Sequence, residues 1–189
     1  MILSNVEIIR AIEDGGIVIR PFPFSDPGEE PFNTTSVDLR LGNSLSIPDS
    51  TAVTVNPAKG GIAQYLARNS SHATITANQP FILKPNQFVL GKTQESVEFP
   101  IREGKPCYSA RVEGKSSLAR CGILVHFTAP TIHAGFRGTI TLEIINLGPN
   151  EFQLTPDAYV CQLIVEEVKG TPIQTPGQFI GQSTPAGLT

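Results

Sequence analysis

Apolar and polar positions alternate in short runs along most of this chain, and the clearest run is Thr139-Ile-Thr-Leu-Glu-Ile-Ile-Asn146. Side chains of an extended strand point to opposite faces in turn, so Ile140, Leu142 and Ile144 share one face while Thr141 and Glu143 share the other. Similar runs predict strands at 17–20, 36–41, 73–76, 81–83, 88–90, 96–99, 123–128, 138–146, 151–154 and 160–168, each bounded by turn residues. Pro85-Asn86 is read as a tight turn. One helix is predicted, near the start, where Ser4-Asn-Val-Glu7 has the capping-box spacing. It would carry Val6, Ile9 and Ile12 on one side and end at Gly15-Gly16. Residues 56–70 read as a loop or a short helix inserted between strands. With 16 prolines and 17 glycines among so many short runs, the expected fold is all-β, a sandwich or a distorted barrel with a short N-terminal helix.

Composition narrows the class. A chain of 189 residues is most simply one domain with a core of useful size, and 40% hydrophobic with 16% charged residues is globular. The boundaries expected are a β domain over 1–170, with 51–76 as a variable insertion, and a Pro/Gly/Gln/Thr-rich tail over 171–189. A net charge of −3 gives no footprint for a nucleic acid polymer. Cys107, Cys121 and Cys161 are far apart in apolar surroundings and read as buried thiols of a reducing compartment. Neither a membrane-spanning run nor a basic-then-apolar leader is seen, so a cytoplasmic protein is expected.

Two pieces of the chain carry chemistry. Gly114-Lys115-Ser116-Ser117-Leu118-Ala119-Arg120 gathers two cations, two hydroxyls and a glycine, which suits phosphate oxygens. Ser-Ser-x-x-Arg is equally the start of a helix. Glu143 sets a carboxylate between Leu142 and Ile144, a candidate for proton transfer. Together they suggest an anionic substrate held beside a general base. The zinc-deaminase signatures H-x-E and P-C-x-x-C are absent, with His72, His126 and His133 the histidines, so no zinc is expected. His126, in an apolar run, reads as a structural histidine.

Gly114 to Ala129, followed by Ala134-Gly-Phe-Arg-Gly-Thr-Ile-Thr-Leu-Glu-Ile-Ile-Asn146, closely resembles the central block of dCTP deaminases, relatives of the trimeric dUTPases. Met1-Ile-Leu-Ser4, Thr35-Ser-Val-Asp-Leu-Arg-Leu41, Gln79 to Gly91 and Leu154 to Leu163 resemble the family's other blocks in the right order. The resemblance implies a dUTPase-like β-barrel assembled as a homotrimer with active sites shared between subunits. It implies hydrolysis of dCTP to dUTP and ammonia without a metal at the carbon centre. Glu143 would shuttle protons, with Ser116 and the Ala129 carbonyl holding the water. Lys115, Ser117 and Arg120 would serve the phosphates and the neighbouring subunit's site, and backbone around Thr141 and Leu142 would read the pyrimidine edge. Mg²⁺ would ride on the phosphate oxygens rather than in a protein cage. The tail would fold over the nucleotide.

Two positions depart from the family pattern. His133 stands where the family has an Asp for the sugar 3′-hydroxyl, and Gln178-Phe179 stands for Lys-Tyr, with Gly181-Gln182 kept. Three functions therefore compete. They are a dCTP deaminase, a dUTPase or bifunctional enzyme going on to dUMP and pyrophosphate, and a trimeric nucleotide-binding module without catalysis. An Asp at the His133 position would be needed to activate water at phosphorus, and the intact Ser116, Arg120 and Glu143 favour deamination.

Overall fold

The central strand pair explains most of the architecture. In the computed structural model, which describes residues 1–22, 26–50, 54–56, 61–175 and 179–187, β11 (Arg137–Asn146) runs antiparallel to β7 (Phe88–Glu98). The larger sheet continues outward from this pair in the order β5 (Ser70–Thr74), β4 (Ser44–Pro48), β7, β11, β9 (Ile123–Leu124). β1 (Val18–Arg20) also pairs with β7, along residues Ser96 to Glu98. The second sheet runs β10 (Thr131–Ile132), β8 (Cys107–Gly114), β13 (Tyr159–Val168), β3 (Ser36–Arg40), β2 (Phe32–Asn33). A small ribbon joins β12 (Phe152–Leu154) to β6 (Phe81–Leu83). Each main strand order has two ends and does not close on itself, so of the two expected architectures the two-sheet sandwich, and not the barrel, encloses the core. Val37, Leu39, Val89, Leu142, Ile144 and Leu163 meet there with no exposed surface.

Several predicted boundaries move, each for a local reason. The runs at 88–90 and 96–99 belong to one long strand. Gly91 is no break: a Cβ there would lie 3.1 Å from both Ile144 and Leu41 side chains, so the residue is small because the two layers approach closely. The polar stretch after it is absorbed by an irregularity between Thr139 and Thr141, where the Ile140 N–H donates to Thr93 Oγ1 at 2.9 Å. The run at 123–128 stops at Leu124, and 73–76 is replaced by 70–74. β8, β4, β2 and β10 escaped notice. β8 carried a signal in Cys107, Ala110 and Val112, which are buried, but its other residues are polar.

The helix α1 (Asn5–Glu13) begins as predicted, the Glu7 N–H donating to Ser4 Oγ at 3.3 Å. Its Glu7 carboxylate pairs with Arg10 instead of reaching back, so the box is half formed. The buried face is Ile8 and Ala11, flanked by Ile9 and Ile12, while Val6 is 42% exposed. The expected face was thus rotated. The inserted segment contains α2 (Ile62–Arg68), and Gly114 leads into α3 (Ser116–Arg120). No described helix is long and apolar enough to cross a membrane. Cys107 and Cys161 are buried as expected, whereas Cys121 is exposed. Burial first, and then the nearby Glu95 and Asp38 charges, push the Cys161 thiol up, so it stays protonated.

One ion pair ties the sheets together. Glu95 on β7 is 3% exposed, and its carboxylate accepts from the Arg40 side chain at 2.6 Å and from the Arg40 backbone N–H at 2.9 Å. That hydrogen bond, ahead of burial, governs the Arg40 guanidinium and raises its pKa further. Arg40→Met would strand a buried carboxylate, so a loss of roughly 3 kcal/mol is expected in urea unfolding. A loss below about 1 kcal/mol, the range of exposed pairs, would show that the pair does not join the sheets.

Candidate active site

Glu143 lies where the alternation puts it, on the face of β11 turned away from the core, two residues from Thr141. Both line a cavity of about 660 Å³. Its walls are largely apolar, with Leu90, Val112, Ile132, Phe136 and Ile140 among them, and Glu143 is the one acidic residue among the described residues that line it. The carboxylate has no ion pair or hydrogen bond among the described residues. Of the other expected residues, Ala129, His133, Thr141 and Gln182 border the same cavity. His126 borders it too, past the end of β9 rather than within an apolar strand.

The backbone of β11 is also available. Asn146 bonds toward β7, donating to Gln87 O and accepting from Asn86 N–H, and Ile140 N–H also points that way. Successive residues of an antiparallel strand turn their backbone polar groups to opposite sides. Thr141 and Glu143 therefore present theirs to the edge away from β7, and Leu142 presents its own to β7. Along that edge β9 pairs only with Ile145 and Asn146. At the other end the tail docks: Gly181 N–H donates to Arg137 O at 2.7 Å and Thr139 N–H to Gln182 O at 3.1 Å. Gln182 Nε2 returns to Thr139 O at 2.8 Å. Between tail and β9 the stretch bearing Thr141 and Glu143 is left open over the cavity. The Thr141 hydroxyl is buried there without a partner among the described residues. Leu142 has no exposed side-chain surface and its backbone groups are turned to β7, so unlike Thr141 it does not reach the cavity.

The Ser-Ser motif sits elsewhere. Ser116, Ser117 and Arg120 are exposed on α3, and none of them lines the Glu143 cavity. Arg120 borders a separate shallow depression with Gly122, Gly148 and Asn150. Lys115 turns inward and pairs with Asp38. Gln178 lies outside the described residues. One chain thus brings together Glu143, Thr141, Ala129, His133 and Gln182 but leaves Lys115, Ser116, Ser117 and Arg120 apart from them.

Some wall residues were not assigned to the site from the sequence, although the tail was expected over it and Phe179 was matched to a family tail position. Leu66 of α2 reaches the cavity from the insertion, and Phe179, Ile180, Pro185 and Ala186 bring the tail to it. Phe179-Ile180 was a readable signal, an apolar pair in an otherwise polar tail. Lys92 Nζ donates to Ser183 O at 2.8 Å and holds that tail from β7. No group of three or more His, Cys, Asp or Glu able to hold a metal ion exists among the described residues.

A family model described as dCTP deaminase-like matches residues 2–168. The chain belongs to the dCTP deaminase-like family. It is 37% identical over 193 residues to a dCTP deaminase of Haloarcula marismortui, covering 98% of this chain and 92% of that one. It is 36% identical over 177 residues to a dUMP-forming dCTP deaminase of Dictyoglomus thermophilum, covering 93% and 84%. Among solved structures, the 2′-deoxycytidine 5′-triphosphate deaminase of Agrobacterium tumefaciens shares the fold, with a TM-score of 0.64 at 19% identity. That match covers 87% of this chain and 47% of the solved one. This dCTP deaminase-like chain thus has a fold already seen in that structure.

Tail docking depends on one glycine. Gly138 has φ 135°, and a Cβ there would lie 2.6 Å from Gln182 O. Gly138→Ala should free the tail, so hydrogen exchange at the Thr139 and Gly181 amides should accelerate by at least about tenfold. Unchanged protection would show that the tail docks otherwise.

Proposed function

We propose that this protein hydrolyses dCTP to dUTP and ammonia, with Glu143 moving the protons. The observation that carries the reading is a carboxylate, Glu143, without a partner among the described residues, in an apolar cavity beside an open strand edge. A pyrimidine ring fits such a place: its faces meet apolar walls, and its polar edge meets the free backbone groups of Thr141. Glu143 takes a proton from water as the oxygen attacks the ring carbon bearing the amino group and gives it to the adjacent ring nitrogen, then takes the proton of the new hydroxyl and gives it to the departing amino nitrogen. The carbon–nitrogen bond breaks, ammonia leaves, and the new carbon–oxygen bond becomes the uracil carbonyl. Ala129 and Ser116 hold the attacking water in this scheme, and His133 donates to or accepts from the sugar hydroxyl. The tail, through Gln182 and its neighbours, closes the nucleotide in. Mg²⁺ would ride on the triphosphate oxygens, since it binds phosphates readily and keeps several of its waters.

The separation of α3 from Glu143 supports a site shared between subunits of a homotrimer. Exposed apolar side chains lie near the ends of β9 and β11: Phe127 stacks on Phe88 at 5.8 Å, and Leu147 is 58% exposed. A neighbouring copy would cover them and set its Ser116, Ser117 and Arg120 against this chain's cavity. A second reading, onward hydrolysis to dUMP and pyrophosphate, is favoured by relatives named dUMP-forming. Against it stands the cavity itself, where Glu143 is the one described acidic residue and His133 offers no carboxylate.

Glu143→Gln should lower ammonia release from dCTP at least about 10²-fold while nucleotide binding persists, because an amide cannot shuttle protons. Wild-type protein incubated with dCTP and assayed for pyrophosphate should show none. Near-wild-type ammonia release would remove Glu143 from the chemistry, and stoichiometric pyrophosphate would establish the second reading.

Shared sites make a sharper prediction. Glu143→Gln and Arg120→Ala should each be inactive alone. After mixing, unfolding and reassembly at equal amounts, about one site in four should combine two intact halves and recover activity. No recovery, with trimers formed, would place both residues in one subunit's site.

A further inference from the structure

The bonds that hold the tail to β11 lie along one line. Gly181 and Gln182 make them at the outer edge of the strand, with Arg137 and Thr139 as their partners. A segment held along a single edge can still swing about that edge, and an attachment off the line is needed to fix its angle. Lys92 supplies one. It stands on β7 directly opposite Thr141, as Leu90 stands opposite Glu143. Cross-strand partners share a face, so Lys92 is on the side of the sheet where Leu90, Thr141 and Glu143 line the cavity. From there its side chain reaches over β11, and its ammonium donates to Ser183 O at 2.8 Å.

The stem of Lys92 is itself directed. Its carbonyl accepts from Gly42 N–H at 2.8 Å, and a Cβ on Gly42 would lie 3.3 Å from Lys92 Cγ, so the glycine leaves room for the stem. The gripped residues, Gln182 and Ser183, are the middle of the docked tail. Phe179 and Ile180 line the cavity before them, and Pro185, Ala186 and Gly187 line it after them. These two arms touch, since the Phe179 ring lies 2.7 Å from where a Cβ on Gly187 would be. The docked tail is thus a small cap, hinged on the β11 edge and tied at its middle to β7. From this geometry we propose that Lys92 is a positioning residue: it fixes the angle at which the tail covers the cavity, and it acts through Ser183 O rather than through a contact with the substrate. The proposal rests on the deaminase reading only for its kinetic readout; the tie itself is read on the ligand-free protein.

A double-mutant cycle with the tail separates this role from substrate binding. Lys92→Met keeps the stem and removes the ammonium. In the ligand-free protein, hydrogen exchange at the Gly181 and Gly187 amides should accelerate about tenfold, the scale of one hydrogen bond from a charged donor. KM for dCTP should rise about tenfold while kcat changes less than about threefold. Lys92→Arg, which keeps a charged donor of similar reach, should restore both readouts to near wild type. In the Gly138→Ala background, where the tail is already free, adding Lys92→Met should change KM by less than about twofold. A further tenfold rise there would overturn the proposal, since Lys92 would then be touching the nucleotide itself. Unchanged exchange at the two tail amides in Lys92→Met would overturn it as well. Should Gly138→Ala fail to fold, exchange in Lys92→Met and its rescue in Lys92→Arg still decide whether the tie holds the tail. If the wild type releases no ammonia, the proposed function fails, while exchange in the ligand-free protein still tests the tie.

Discussion

The pairing of β11 with β7 is the constraint on which the rest of the structure depends. A strand in a two-layer sandwich has one dry face and one wet face, and a one-residue slip would exchange them. Here the slip would drive Glu143 into the space of Leu142 and Ile144, both without exposed surface. Burying an unpaired carboxylate costs several kcal/mol or more, and losing two aliphatic side chains from the core costs about 2–5 kcal/mol each. The register is therefore held by both terms at once. Closely packed Gly91 and the Thr93 hydroxyl bond to Ile140 N–H pin the same register from the β7 side. What faces the cavity is a consequence of what fills the core.

The three notable carboxylates show how differently one fold treats the same group. Glu95 is enclosed by Arg40, and Asp38 by Lys115 and Asn33. Each is a buried charge whose desolvation is offset by a partner. Glu143 is instead half-buried on the wall of the apolar cavity, with no such partner among the described residues, so its carboxylate is open to a ligand or water. The same contrast divides the cations of the Ser-Ser motif. Lys115 is enclosed, and Arg120 is exposed with no ion pair among the described residues.

Much of this was legible in the sequence, for reasons that can be named. The 138–146 run was readable because both of its faces are uniform, and Ser4 because a cap acts within one turn. Glu143, His133, Thr141 and Gln182 were found by motif and the structure does place them round one cavity. β8 was not found, because Tyr108, Ser109, Arg111 and Glu113 mask its short buried series, and β7 was cut in two by a glycine that serves packing rather than a turn. The direction of Lys115 was beyond reach: its partner is 77 positions away, and only the β8-β13-β3 strand order brings Asp38 near. Local patterns speak of local order, and a long-range ion pair is written in topology.

The tail gives the last link between backbone and function. Its hold on β11 consists of two strand-like bonds at Arg137 and Thr139, the Gln182 side chain and the Lys92 contact. Bonds of this kind contribute about 1 kcal/mol each after exchange with water, so the docked tail is only a few kcal/mol below a free one. That is the range in which a segment can open and close on demand rather than stay permanently shut. The apolar pair Phe179-Ile180 and buried Ala186 add burial that depends on the cavity they line. A ligand that fills this cavity gives those side chains a surface to cover, so its binding and tail closure reinforce each other. Gly138 is what permits the close approach: at φ 135° and without a Cβ, it lets the tail's backbone reach hydrogen-bonding distance of Thr139. The docked tail is therefore an extension of the β11 edge, built from the same backbone geometry that exposes Thr141 and Glu143.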